Sequence, residues 1–328
     1  MTALDTMKPV VVVSQCLGFA AVRYNGAILR DDFIQTLTQH VQFVQVCPEV
    51  GIGLGVPRDP VRLVGNLSSK RLIQPATGRD VTTLMQTYAQ NFLDSAGPVD
   101  GFILKSRSPS CGIKDVRVHA PAPPSNTVGK SAGLFAETVL QRFPGAAVED
   151  EGRLTNAGLR HHFLVRLFAS PRLRAVKDSS GMAELVRFHT IHKLQLMAWS
   201  QRGLRVLGQL VANAESLPVA TVISQYVERF WEIVAEPARP GATRNVLLHA
   251  FGYVSDQLSS RERRHFLKLL EDYPRRVPLS ALLSLVQSWV ARFEQDYLAS
   301  QTFFEPYPRA LLNLMDSGTG ADLKANGK

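Results

Sequence analysis

Three short apolar runs, at residues 10–13, 43–46 and 101–104, set the terms for the first half of this chain. Each is of strand length, and stretches of helical spacing fall between them, the alternation that builds a parallel α/β sheet. A cysteine follows each run, and these three, Cys16, Cys47 and Cys111, are all the cysteines in 328 residues. Parallel strands end along one edge of their sheet, where open α/β folds place their sites, so three thiols could meet there. An odd number of cysteines without a Cys-x-x-Cys pair is a poor disulfide framework. Soft thiolates select an iron–sulfur cluster, zinc or copper over hard ions, and three ligands without a fourth leave one position open. The competing reading makes the cysteines small buried hydrophobes.

The spacing predicts a strand near residues 10–14, a helix over 31–40, a Gly- and Pro-rich loop over 48–60 and a helix over 82–95. The third run opens into a loop over 105–112. The Pro-, Ser- and Gly-rich stretch at 120–133 reads as an exposed loop, 134–143 as an amphipathic helix and 147–149 as an edge strand. A helix over 157–168 is expected to pack back on the sheet, with the linker near 177–181. From residue 182 the pattern changes to consecutive helices, over 182–200, 204–214, 219–234, 244–257, 261–273 and 279–292. Ser259 with Glu262 fits a capping box, and residues 309–328 read as a flexible tail. The fold class expected is an α/β amino-terminal domain with a mainly parallel, Rossmann-like sheet, followed by an all-α helical domain.

No apolar run approaches the roughly 18 to 20 residues of a membrane span, and residues 1–9 lack the layout of a signal peptide. The expectation is a soluble, cytoplasmic protein with no membrane partner. A net charge of +9 favours anionic partners such as nucleotides, RNA or phosphorylated metabolites. No basic tail or stripe stands out, so nucleic acid is the less favoured partner.

The residues beside the cysteines carry chemistry of their own. Glu49, two positions from Cys47, is placed to act as a general base, its bland alternative being a surface carboxylate at a turn. Ser108 and Ser110 before Cys111 could donate hydrogen bonds, while Lys105 and Arg107 offer positive charge to a phosphate or a departing sulfide. Arg23 and Tyr24 follow Cys16, and Arg58 follows the Gly-rich loop; an arginine fork suits phosphate and a tyrosine stacks on a base.

The blocks Cys16-Leu17, Val22-Arg23-Tyr24-Asn25-Gly26, Cys47-Pro48-Glu49-Val50-Gly51-Ile52-Gly53-Leu54, Pro57-Arg58-Asp59-Pro60, Lys105-Ser106-Arg107-Ser108-Pro109-Ser110-Cys111-Gly112 and Glu149-Asp150-Glu151-Gly152-Arg153-Leu154 occur in this order. Over residues 8–173 the chain thus resembles the thiouracil desulfidase family. One departure follows the first cysteine, where the family often has Cys-Leu-Leu-Gly and this chain has Cys16-Leu17-Gly18-Phe19. The resemblance implies a [4Fe-4S] cluster on Cys16, Cys47 and Cys111 with one iron open to the sulfur of a thiolated nucleobase or nucleotide. It implies Glu49 as the acid–base residue. It places the catalytic serine within Ser108-Pro109-Ser110, with Ser108 assigned to catalysis and Ser110, Arg23, Tyr24, Arg58 and Lys105 to substrate binding. The activity implied is non-redox hydrolysis that removes sulfur from thiouracil or 4-thiouridine monophosphate. Residues 184–308 resemble a helical domain of unknown function often fused to this family. There His189, His192 and His249 could form a metal or phosphate site, and Arg187, Lys193 and Arg244 could help hold a nucleotide phosphate. The alternative is an RNA-binding or assembly protein with a closed structural cluster or zinc site, which needs a fourth ligand from Glu49 or a histidine.

Overall fold

The computed structural model describes residues 7–121 and 126–311. Among the described residues nine strands form in the first half: β1 Val10–Ser14, β2 Gln42–Val46, β3 Arg62–Gly65, β4 Lys70–Gln74, β5 Arg79–Asp80, β6 Gly101–Leu104, β7 Val116–His119, β8 Thr127–Ser131 and β9 Ala147–Asp150. The β-branched run of β1 is almost wholly buried and forms the interior of a four-stranded parallel sheet, ordered β2-β1-β6-β9. Ser14 pairs with Val46, Val13 with Ile103 and Leu104 with Asp150, so all four strands end together. After β2 the chain crosses back to the other side of β1, which makes the gap between β1 and β6 the switch point where α/β sheets open a crevice. Asp31 caps the helix Asp32–Leu37 through a bond from the Ile34 amide at 2.9 Å.

A second sheet, ordered β5-β4-β3-β7-β8, has no counterpart in the sequence reading. It is antiparallel except where β3 runs parallel to β7. Its strands are two to five residues long, too short for a period-two pattern to stand out. The stretch 120–133, expected as a loop, supplies β8; Pro123 and Pro124 fall outside the described residues. Both sheets share one core, in which Val12 and Phe102 of the first meet Leu63, Leu72 and Val118 of the second, with Phe135 from the helix Leu134–Arg142.

The described residues divide into two compact units at Thr155/Asn156. The helix expected to end at residue 168 runs from Ala157 to Ser179 and groups with the helical unit rather than the sheet. Pro171 inside it removes one helical bond, a cost of about 3 kcal/mol. Burial of Ala169, Leu173 and Val176 in a helical core outweighs that cost. The turn comes at Ser180, in the left-handed region with φ 51°, next to Gly181. The single helix expected over 182–200 is broken at His192 into Met182–Ile191 and Lys193–Trp199. The break has a visible cause: Gln301 and Thr302 take the backbone groups that would continue the ladder. The Thr302 amide donates to the Ile191 carbonyl at 2.9 Å, and the Leu194 amide donates to Gln301 Oε1 at 3.0 Å. The remaining helices include Gln201–Ala212, Val219–Ile233, Pro240–Gly252, Ser260–Asp272 and Leu279–Arg292, and Ser259 and Glu262 make the capping box reciprocally. Among the described residues no helix is long and apolar enough to cross a membrane. Of the expected tail, residues 312–328 lie outside the described residues.

Burial pushes His162 down to about 4 and His192 down to about 3, with nearby arginine charge adding to both. Unfolded rings titrate near 6.5, so as pH falls the unfolded chain binds protons first. Stability is therefore complete above about pH 6.5 and is lost on the way down to about pH 4, by on the order of 3 kcal/mol per ring. Urea unfolding followed by circular dichroism is expected to show a lower midpoint at pH 4.5 than at pH 7.5. A midpoint indifferent to pH would contradict the buried, neutral state of these rings.

Candidate metal centre

Cys16 lies two residues past β1, Cys47 one residue past β2 and Cys111 in the loop after β6, so all three follow the aligned strand ends. The Gln15 amide donates to the Val46 carbonyl at 2.8 Å, extending the pairing up to the two thiols that come next. Cys47 caps the short helix Pro48–Gly51, and the Glu49 and Val50 amides lower the proton affinity of its sulfur. Cys111 is set by a loop stitched to its own backbone. Ser108 Oγ accepts from the Ser110 amide at 3.2 Å and the Cys111 amide at 3.1 Å, and the Ser108 carbonyl accepts from the Gly112 amide at 2.8 Å. Gly133 lets the next helix approach this loop closely, because a Cβ there would lie 2.5 Å from the Ser110 carbonyl oxygen. Ser14, at the end of β1, hydrogen-bonds the Cys111 thiol and accepts from the Lys105 amide at 2.9 Å.

All three cysteines are free, and each is held above the ordinary thiol range chiefly by burial, Cys16 at about 11 and Cys111 most strongly. Cys16 and Cys47 both raise Cys111, and Cys47 raises Cys16, so the three share one electrostatic neighbourhood. Such thiols stay protonated alone and convert to thiolates when a cationic centre takes them as ligands. Among the described residues no three His, Cys, Asp or Glu side chains close tightly enough to hold a single ion. Thiolates are soft donors, the chemistry that suits an iron–sulfur group or zinc.

Glu49 stands beside this trio in a brace. Arg58 Nε donates to Glu49 Oε2 at 2.9 Å, and Ser110 Oγ donates to Glu49 Oε1 at 3.0 Å. Arg58 Nη1 also donates to the carbonyls of Val22 and Gly55, each at 2.9 Å, and its side chain is only 4% exposed. The arginine expected to fork a phosphate is thus committed to a carboxylate and the loop backbone. Ser110 is wholly buried and belongs to Glu49, while Ser108, the serine assigned to catalysis, holds the turn before Cys111.

On the Cys16 side Lys105 pairs with Glu151, which also accepts from the Ser106 amide at 2.8 Å and the Ser106 hydroxyl at 2.6 Å. Lys105, Arg23 and Glu151 all act on the Cys16 charge. Tyr24 is exposed, with the Arg23 guanidinium 5.7 Å from its ring centroid. Glu151, Ser14 and Tyr88 were missed as site residues. Glu151 sits in a conspicuous acidic block and Ser14 is the polar end of an apolar run, which are the signals available for them. Tyr88 packs over Gly51 and feels Cys47 and Cys111; its helical spacing shows only a core position. In the other unit the three histidines do not gather. His189 bonds the Tyr226 hydroxyl at 3.1 Å, His192 is buried against the Phe188 carbonyl, and His249 is exposed beside Tyr253. Arg244 is turned to the Tyr273 carbonyl at 2.6 Å.

Residues 11–151 match the model of the 2-thiouracil desulfurase family, and residues 193–308 match a family described as protein of unknown function, DUF1722. The chain is 32% identical over 158 residues to the uncharacterized protein YbgA of Escherichia coli strain K12, covering 47% of this chain and 93% of that protein. It is 36% identical over 109 residues to the uncharacterized protein YbbK of Bacillus subtilis strain 168, covering 31% and 72%. A solved structure described as a [4Fe-4S]-dependent thiouracil desulfidase, TudS, is 30% identical, with coverage of 45% and 93% and a TM-score of 0.36.

The brace predicts a measurable cost. Arg58→Gln leaves Glu49 buried without its cation, which is expected to destabilise the protein by about 3 kcal/mol or more. The companion Arg58→Gln/Glu49→Gln removes the stranded charge and is expected to recover part of that loss. Thermal unfolding of the two variants measures both, and an Arg58→Gln protein as stable as the parent contradicts a buried pair.

Proposed function

As the chain belongs to the 2-thiouracil desulfurase family, we propose that it removes sulfur from a thiolated pyrimidine by non-redox hydrolysis at an iron–sulfur site on Cys16, Cys47 and Cys111. The observation that carries this reading is the grouping of three free thiols, two buried and one half-buried, with Glu49, Arg58 and Ser110 at one strand edge. A [4Fe-4S] cluster bound there supplies an iron without a protein ligand, a Lewis acid for the thiocarbonyl sulfur.

The remaining work falls to the polypeptide. Water adds to the ring carbon that carries sulfur, Glu49 takes a proton from that water, and the carbon–sulfur bond breaks to leave the oxo pyrimidine and hydrosulfide. No electrons are exchanged with an external donor. Arg58 and Ser110 each hold one carboxylate oxygen, which fixes the orientation of Glu49 before substrate arrives. Ser108 accepts two backbone amides with its lone pairs, so its hydroxyl proton points away from them and is available to an oxygen or sulfur carrying developing charge. Lys105, salt-bridged to Glu151, offers positive potential on the Cys16 side, where an anionic substrate or leaving group is favoured. Arg23 and the exposed Tyr24 are the groups free to meet the rest of the substrate from the loop after Cys16. The substrate proposed is a small thiolated base or nucleotide such as 2-thiouracil or 4-thiouridine monophosphate.

Anaerobic reconstitution with iron and sulfide, followed by a sulfide-release assay on both compounds, is expected to give stoichiometric hydrosulfide and oxo pyrimidine. Iron incorporation with no sulfide from any thiolated base or nucleotide would sink the proposal. Glu49→Gln is expected to lower turnover by roughly 100-fold or more while iron content stays at the parent level. Unchanged turnover removes Glu49 from the proton transfer.

A further inference from the structure

The chemistry proposed above makes no use of Tyr88, which stands against the turn that carries Cys47 and Glu49. It lies on the helix Thr82–Ser95, whose Met85, Ala89 and Leu93 are buried in the core, and it flanks that face half-buried. The ring is held in a column. It stacks on Phe92 with centroids 6.0 Å apart, and Phe92 meets the buried Phe135 edge-on at 5.8 Å. The phenol end of Tyr88 rests on Gly51. A Cβ at that glycine would lie 2.7 Å from the Tyr88 hydroxyl oxygen and closer still to the ring, so the contact exists only because residue 51 has no side chain.

Gly51 also tells which side of the turn the phenol meets. The Gly51 amide donates to the Cys47 carbonyl at 2.9 Å, and residues four apart share one face of a helical turn. The hydroxyl therefore sits on the face of the turn that carries Cys47. Cys111 belongs to the same apolar cluster that Tyr88 packs against. Burial first, then negative charge on Cys47 and Cys111, holds the phenol proton more tightly than usual, so at neutral pH the group is a donor. The stacking and the seat on Gly51 belong to the ring, and a phenylalanine would reproduce them. The hydroxyl is the addition, and among the described residues no protein group accepts its hydrogen bond. Thiolates bound to iron accept charge-assisted hydrogen bonds, and bonds to the sulfurs are among the influences that set the potential of an iron–sulfur group.

We propose that Tyr88 is a positioning residue of the metal centre, its hydroxyl donating a hydrogen bond to the Cys47 thiolate when an iron–sulfur group is bound. The role rests on the reading of Cys16, Cys47 and Cys111 as ligands of that group, and not on which substrate is turned over. The donor draws negative charge from the thiolate, which favours the more negative, reduced state and weakens the bond between iron and sulfur.

Tyr88→Phe keeps the ring on Gly51 and removes only the donor. Parent and variant, as full chains, are reconstituted anaerobically with iron and sulfide and titrated with dithionite under electron paramagnetic resonance. Equal iron content and equal melting temperature are expected, with the midpoint potential of the variant shifted to more negative values. Resonance Raman spectra, which need no reduction, are expected to show the iron–thiolate stretching band of the variant at higher frequency. A folded, iron-loaded variant with the parental potential or the parental band overturns the proposal. So does a parent that takes up no iron, which removes the metal centre as well. Both shifts in a protein that releases no sulfide from thiolated bases contradict the desulfurising reaction and leave the role of Tyr88 standing.

Discussion

Parallel pairing of β1 with β2 on one side and β6 on the other is the constraint from which the site follows. With Ser14 opposite Val46 and Val13 opposite Ile103, a one-residue slip in either pairing would turn a buried valine face outward and shift a strand end away from its neighbours. The registry is therefore fixed by the apolar core. The thiols inherit their common location from it, since Cys16 and Cys47 come within two residues of a strand end. Hydrophobic burial thus aligns polar chemistry that it does not itself contain.

Alignment of strand ends brings the loops together, and hydrogen bonds then stiffen them. Arg58 ties Glu49 to the carbonyls of Val22 and Gly55, so the loops after β1 and β2 share one guanidinium. Ser110 carries the loop after β6 to the same carboxylate, and Glu151 ties that loop to the end of β9. Two ion pairs, Arg58 with Glu49 and Lys105 with Glu151, lie beside the thiols without using them as partners. In the proposed reaction these charges would serve substrate and proton transfer, and the thiols would serve as ligands. This is preorganisation in the sense that matters for catalysis: the groups are oriented by the protein before the reacting molecule arrives.

The residues whose neighbours in sequence are also their neighbours in space were the legible ones. The valine run of β1, the cysteine after each of three strands and the Cys47-Pro48-Glu49 turn are local signals, and the structure places them together. The second sheet was hidden because β3, β4, β5, β7 and β8 are short and lack a clear alternating pattern, and because the pairing of β3 with β7, which joins its local hairpins into one sheet, spans a chain separation that no window reveals. Arg58 read as a phosphate fork because sequence cannot say whether an arginine beside a glycine-rich loop meets a ligand or a buried carboxylate 9 positions earlier. The helix expected to end at residue 168 continues through Pro171, where tertiary burial on both sides overrides the local preference of proline to end a helix. The break at His192 has its cause at Gln301 and Thr302, more than 100 residues away, and no local pattern encodes it.

The central claim is that three thiols at one strand edge make a site in which one iron is chemically distinct. Mössbauer spectroscopy of the chain reconstituted anaerobically with isotopically enriched iron addresses it most directly. The account predicts a single iron component that changes when 2-thiouracil is added while the others hold, and loss of that spectrum in Cys111→Ser. Iron components that all respond alike, or the same spectrum after Cys16, Cys47 and Cys111 are replaced by serine, would contradict it.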